Sequence, residues 1–199
     1  MSSVPHPVLR AYNVQEGREQ EFRRVLLSLI TWLRQFPEVT DARAFQCRHA
    51  TLHFYSWAAW GSLTARDRAL QSRLWPRIVA SMGSALSGPP TVHTLEVICS
   101  QQSEIRPEGP AILAVLRCPS DAEEPGREAM MRYGQEAARE LGSTRIFLGQ
   151  SIEDRSTFAG LFELLDSPPR TLPTPKEETL QFVQWCLIDP LRGGDRITS

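Results

Sequence analysis

Few side chains in this sequence are of a type that does chemistry near neutral pH. Four are histidines, His6, His49, His53 and His93, whose imidazoles titrate close to neutrality and can pass protons. His53 and His93 fall inside apolar, strand-like runs, Thr51–Trp60 (TLHFYSWAAW) and Thr91–Ser100 (TVHTLEVICS). His49 sits at a hairpin and is expected to be solvated, and His6 lies near the start of the chain. Arg10, inside Val8–Val14 (VLRAYNV), is a fixed positive charge in a run of strand formers. Four cysteines, Cys47, Cys99, Cys118 and Cys186, are widely spaced without a CxxC pair. Apolar surroundings point to buried free thiols rather than zinc ligands, which would need clustering. Hydrolase, nucleotide-binding and zinc-protease signatures (GxSxG, glycine-rich phosphate loops, GxGxxG, HExxH) do not occur. Asp121, Glu123 and Glu124 suit the start of a helix, where carboxylates meet the positive end of its dipole.

These residues must be held by a chain of 199 residues, enough for one large domain or two small ones. With 41% hydrophobic and 23% charged residues, the composition is that of a globular protein. A net charge of −1 gives no field to attract nucleic acid or an anionic membrane, so neither is an expected partner. No apolar run approaches the ~18 residues of a membrane span. Met1–Pro7 has neither a basic nor an apolar signal region. A cytoplasmic protein with reduced thiols is expected.

Periodicity places the elements. After Val8–Val14, apolar residues recur at Phe22, Val25, Leu26, Leu29, Ile30 and Leu33, the spacing of an amphipathic helix that Pro37 closes. Asp41–His49 and the aromatic Thr51–Trp60 read as two strands. A helical stretch follows with Leu63, Leu70, Leu74, Ile78 and Met82 on one side. Pro76 lies inside it, and proline favours a first helical turn, so the spacing predicts a break near Ser72–Trp75. Gly88-Pro89-Pro90 ends the stretch before the strand Thr91–Ser100. The order is strand, helix, strand, strand, helix, strand.

The order then begins again. Ala111–Cys118 is strand-like, and Pro125-Gly126-Arg127-Glu128 opens a helix as Glu16-Gly17-Arg18-Glu19 does earlier. Arg145–Ile152, Thr157–Leu165 and Thr179–Asp189 read as strands. Between Leu165 and Thr179 the chain holds Pro168, Pro169, Pro173 and Pro175, too short and proline-rich for a second helix. The expected organisation is a repeat over 1–100, a linker over 101–110, a truncated repeat over 111–190 and a tail over 191–199.

The first repeat resembles the antibiotic biosynthesis monooxygenase superfamily. The resemblance rests on Glu16-Gly17-Arg18-Glu19 with Phe22 behind it, on Phe36-Pro37, and on Trp60-Gly-Ser62-Leu63-Thr-Ala65 extending to Ser72. It implies an α+β fold of ferredoxin-like βαββαβ repeats, two per chain forming an intramolecular dimeric α+β barrel, the second repeat lacking its second helix. A sheet apolar on both faces cannot leave one of them in water. That missing helix leaves a sheet back which a second chain could cover, so a homodimer is a possible assembly.

The resemblance also implies chemistry. Members oxidise aromatic polyketides without metal or flavin, so no cofactor is expected. The site would help deprotonate an activated phenol and hold its anion, with His53 or His93 as base and Arg10 as anion partner. Trp60, Asn13 and His93 would line the substrate pocket. Haem-degrading members resemble one another in a first-strand asparagine and a second-helix histidine. Here Asn13 lies too close to Gly17, and Gly61–Leu86 contains no histidine to ligate iron. Two readings stand: a cofactor-independent monooxygenase on a small aromatic or polyketide-like substrate, or a non-catalytic barrel that binds an apolar ligand or serves a structural role.

Overall fold

The computed structural model describes residues 5–101, 109–143, 145–164, 174–175 and 179–192. The elements are β1 (His6–Asn13), α1 (Glu19–Leu33), β2 (Val39–Cys47), β3 (His53–Trp60), α2 (Leu63–Leu70), α3 (Trp75–Gly83) and β4 (Thr91–Gln101), then β5 (Ala111–Arg117), α4 (Glu123–Leu141), β6 (Arg145–Ser151), β7 (Thr157–Glu163) and β8 (Gln181–Pro190). Their strand order is that of a closed barrel, β1-β3-β2-β8-β5-β7-β6-β4. This is the α+β barrel of ferredoxin-like repeats expected from the sequence. Most of the expected linker, of the proline-rich connection and of the C-terminal tail lies outside the described residues. Among the described residues the second repeat has one helix, α4. No helix among them is long and apolar enough to cross a membrane.

By compactness the chain forms two units, residues up to Val92 together with the chain from Pro190, and His93–Asp189. These units and the sequence repeats partition the chain differently, because β4, last strand of the first repeat, belongs to the second unit.

In the first unit, β3 lies between β1 and β2, antiparallel to both. The register opposes Val8 to Ala58, Arg10 to Ser56 and Tyr12 to Phe54. Partners opposed across antiparallel strands share a face. Helix α1 packs on this face through Phe22, Leu26, Leu29, Ile30 and Leu33. Gly17 turns the chain into α1 with φ 79°, where a side chain would be strained. At the other end the Arg34 guanidinium donates to the Ala42 carbonyl at 3.0 and 2.8 Å, tying the helix to β2. The break expected near Pro76 is present: α2 ends at Leu70, and α3 restarts at Trp75 with the proline in its first turn.

The second unit is a sheet in the order β4-β6-β7-β5-β8, antiparallel throughout. Helix α4 lies close on it because Gly126 has no side chain. A Cβ there would come within 2.8 Å of Cys118 Sγ. Gly142 ends the helix in the left-handed conformation, φ 59°, its N–H reaching back to Ala138 and Arg139 carbonyls. On β8, Val183 and Trp185 remain exposed.

The β4–β6 pairing can be tested at Gly149, which opposes Val97 across the ladder. A Cβ at Gly149 would meet Leu95 Cβ at 2.7 Å and the Glu96 carbonyl oxygen at 3.1 Å. Gly149→Ala should therefore cost about 1–3 kcal/mol in chemical denaturation. A loss below ~0.5 kcal/mol would contradict the pairing.

Candidate functional site

Strand parity puts one charge where the sheet is otherwise apolar. Val8, Arg10 and Tyr12 alternate onto the helix-facing side of β1, opposed there by Ala58, Ser56 and Phe54. Arg10 is only 7% exposed. Its guanidinium lies 5.4 Å from the centroid of the Trp75 ring, which is itself stacked on Trp32 at 5.9 Å. Among the described residues no carboxylate and no hydrogen-bond acceptor pairs with it; its electrostatic neighbours are Tyr12 and Arg66, of which Arg66 is the one charged at neutral pH. Burial therefore pulls the Arg10 pKa down, with Tyr12 opposing and Arg66 adding to the shift. A guanidinium remains protonated in proteins all the same. Removing such a charge from water costs several kcal/mol, and a desolvated cation–π contact returns about 2. The described residues alone do not balance the charge.

Arg10 opens onto a cavity of about 670 Å³. Tyr12 stands beside it, and Leu70, Trp75, Val79, Met82 and Leu86 make an apolar wall. Ser87–Pro90 and Val92 complete the lining and are exposed, so the cavity is reached from that side. Burial pushes the Tyr12 phenol up, against smaller opposing effects of Arg10 and of Ser56, whose hydroxyl lies 3.0 Å from the Tyr12 oxygen. Tyr12 is therefore a neutral hydroxyl at physiological pH.

The walls are placed by the helix break and by main-chain bonds. Restarting at Trp75, α3 carries Trp75, Val79, Met82 and Gly83 to the cavity. The Leu86–Ser87 connection is bound back to β1: Ser87 donates to the Asn13 carbonyl through N at 2.9 Å and Oγ at 3.0 Å. Gln15 donates to the Ala85 carbonyl from its main chain at 2.9 Å, and to the Leu86 carbonyl from its side chain at 2.7 Å.

Of the residues expected from the sequence, the structure brings Arg10 to the cavity and leaves four elsewhere. His53 opposes Asn13 in the register and so lies on the sheet face opposite Arg10. The expected pairing of His53 as base with Arg10 as anion partner is not formed, because their strand positions have opposite parity. Asn13 is exposed and braces the cavity wall through its carbonyl, not its side chain. Trp60 is in the core against Phe36, ring centroids 5.9 Å apart, and is not a lining residue. Its neighbour Ser62 caps α2, accepting from Ala65 N at 3.1 Å. The motif around Trp60 thus starts a helix rather than supplying reactive groups. His93 stands half-buried on β4 in the second unit. Burial holds its pKa down, partly offset by Glu153 and Asp154, with Arg117 adding to the lowering.

Tyr12, Trp75 and Met82 were not singled out by sequence. Tyr12 follows from parity with Arg10, and Met82 from its helical spacing with Ile78. Trp75 had only its place before Pro76 as a signal. Among the described residues no three His, Cys, Asp or Glu side chains gather as a metal site.

No family model matches the sequence, and no curated protein is matched by it. Solved structures do match. A candidate monooxygenase from Fusobacterium nucleatum has a TM-score of 0.74 at 10% identity, covering 96% of this chain and 94% of that one. Another from Lactobacillus acidophilus has a TM-score of 0.68 at 9% identity over 96% and 95%. An anthrone oxidase-like protein has a TM-score of 0.64 at 9% identity, over 82% of this chain and 74% of its own. These likenesses show a shared fold, the one the sequence resemblance implied.

Two outcomes follow. Arg10→Met removes a buried, unpaired charge and should raise stability by about 1–4 kcal/mol in urea denaturation. Unchanged or lower stability would mean that the guanidinium is already satisfied. For His93, the folded pKa is depressed, so the unfolded chain takes up the proton first. Its contribution is present above the unfolded pKa of ~6.5 and is lost as pH falls through and below that value. The urea midpoint should fall less steeply between pH 7 and 5 in His93→Gln; an identical slope would contradict the shift.

Proposed function

We propose that the first unit is a cofactor-independent monooxygenase acting on a small aromatic or polyketide-like molecule. The observation that carries this reading is the 670 Å³ cavity, apolar along α3 and polar only at Arg10, Tyr12 and the exposed Ser87. Its size is that of small-molecule sites, and its few polar groups are placed to orient a ligand. The names of the structures sharing the fold, candidate monooxygenases and an anthrone oxidase-like protein, support the class of reaction.

In such a reaction the substrate supplies all the electrons. An ionised phenol or enol passes one electron to dioxygen, and the radical pair combines to form a C–O bond. The resulting hydroperoxide loses water and leaves a carbonyl, so a methylene and O2 become a ketone and H2O. Arg10 favours the ionised substrate, since an opposite charge within ~4–6 Å lowers a pKa by about 1–3 units. Since the lining contains no histidine, aspartate or glutamate among the described residues, the substrate proton leaves through the exposed rim to solvent. The same feature favours a second reading, in which the cavity binds an apolar molecule without turnover. With its cysteines as free thiols, we place the chain in the reducing cytoplasm.

Oxygen uptake decides between the two readings. Dialysed, chelator-treated protein should consume O2 with anthrone- or hydroquinol-type substrates above the buffer rate. Arg10→Met should lower that rate by more than tenfold, one pKa unit of anion stabilisation corresponding to ~10-fold. Binding without uptake across the panel would select the non-catalytic reading.

A further inference from the structure

Among the described residues nothing answers the charge of Arg10. It is buried on an apolar sheet face, it faces an accessible cavity, and among the described residues its one close contact is the face of Trp75. The neighbouring charge it feels is that of another cation, Arg66. The cavity end at Arg10 is therefore electropositive, and among the described residues its other walls offer no carboxylate. A neutral aromatic would gain the apolar walls but leave this charge unpaired on losing its water. An aromatic with an anionic oxygen would gain both, because a guanidinium presents paired N–H donors that fit a carboxylate or phenolate.

We infer that the ligand of the first-unit cavity is an aromatic oxyanion, a carboxylate or an ionised phenol, bound to Arg10 with its ring against Leu70, Val79 and Met82. Arg10 thereby acts as a selectivity device: it admits a flat apolar molecule in one charge state and disfavours its neutral isostere. The inference shares with the proposed oxygenase the premise that this cavity holds the ligand, and it does not depend on turnover.

The test is binding, measured by calorimetry on the full chain with probes that differ in charge and hardly in shape. Wild type should bind 2-naphthoate at least tenfold more tightly than 2-naphthamide. Arg10→Met should abolish that preference, and Arg10→Lys, which keeps a point charge, should retain part of it. Circular dichroism and thermal melting establish that both variants are folded. A second arm uses 4-nitro-1-naphthol, whose anion is coloured. Bound to wild type it should ionise at least one pH unit below its free value, and bound to Arg10→Met it should not. The two arms separate carboxylate from phenol; a preference in either supports an oxyanion site. Equal or tighter binding of the amide, with no shift of the naphthol, would overturn the inference, and the oxygenase reading would then stand only on oxygen uptake, without the part given there to Arg10. An anion preference that survives Arg10→Met would overturn the inference too. Binding of none of the probes would overturn both. Anion-selective binding without oxygen uptake would overturn the oxygenase alone.

Discussion

A guanidinium buried without a counter-charge among the described residues sets the terms for the first unit. Residue 10 shares a face with Val8 and Tyr12 because side chains alternate along a strand, and that face is the one α1 covers. No rotation of β1 can expose Arg10 without also exposing Val8 and Tyr12. The charge is thus retained at a cost in stability, and the part of the fold around it is shaped to leave it accessible. Residues kept at such a cost are characteristic of functional sites.

The surrounding elements serve that end. A continuous helix from Leu63 to Gly83 would be laid down in one direction; the stop at Leu70 and restart at Trp75 redirect it. The restart brings Trp75 over Arg10 and Met82 into the core, while Val79 stays 45% exposed at the cavity. Met82 is the one buried residue of α3, Trp75 and Ile78 pack half-buried against the same core, and the bonds of Ser87 and Gln15 hold the chain that follows. The second unit solves its packing differently. There α4 approaches the sheet over Gly126 and Gly134, with Ala129, Met130 and Ala137 buried between.

The element order, the helix break and the amphipathic face of α1 were legible in the sequence, because each follows from a local rule: alternation, 3.6-residue periodicity, or the missing N–H of Pro76. The opposition of His53 to Trp60 was also legible, since their separation along one strand is odd. The separation of His53 from Arg10 was not. That depends on the register of β1 against β3, which opposes Arg10 to Ser56, and register is fixed by tertiary packing rather than by either strand alone. The cavity was illegible for a similar reason: Tyr12, Leu70, Met82 and Pro90 meet only after folding. The residues around Trp60 carried the family resemblance, yet in the structure Ser62 uses it to cap α2. A motif can mark a fold without marking its chemistry.

The chemistry of the first unit turns on where the charge of Arg10 finds its partner. A crystal structure of the chain grown with 2-naphthoate tests this most directly. The expected result is a carboxylate within hydrogen-bonding distance of the Arg10 guanidinium and a naphthalene ring on Met82 and Val79. A cavity closed by side chains, or an Arg10 turned out to pair with a surface carboxylate while the ligand lies elsewhere, would contradict it.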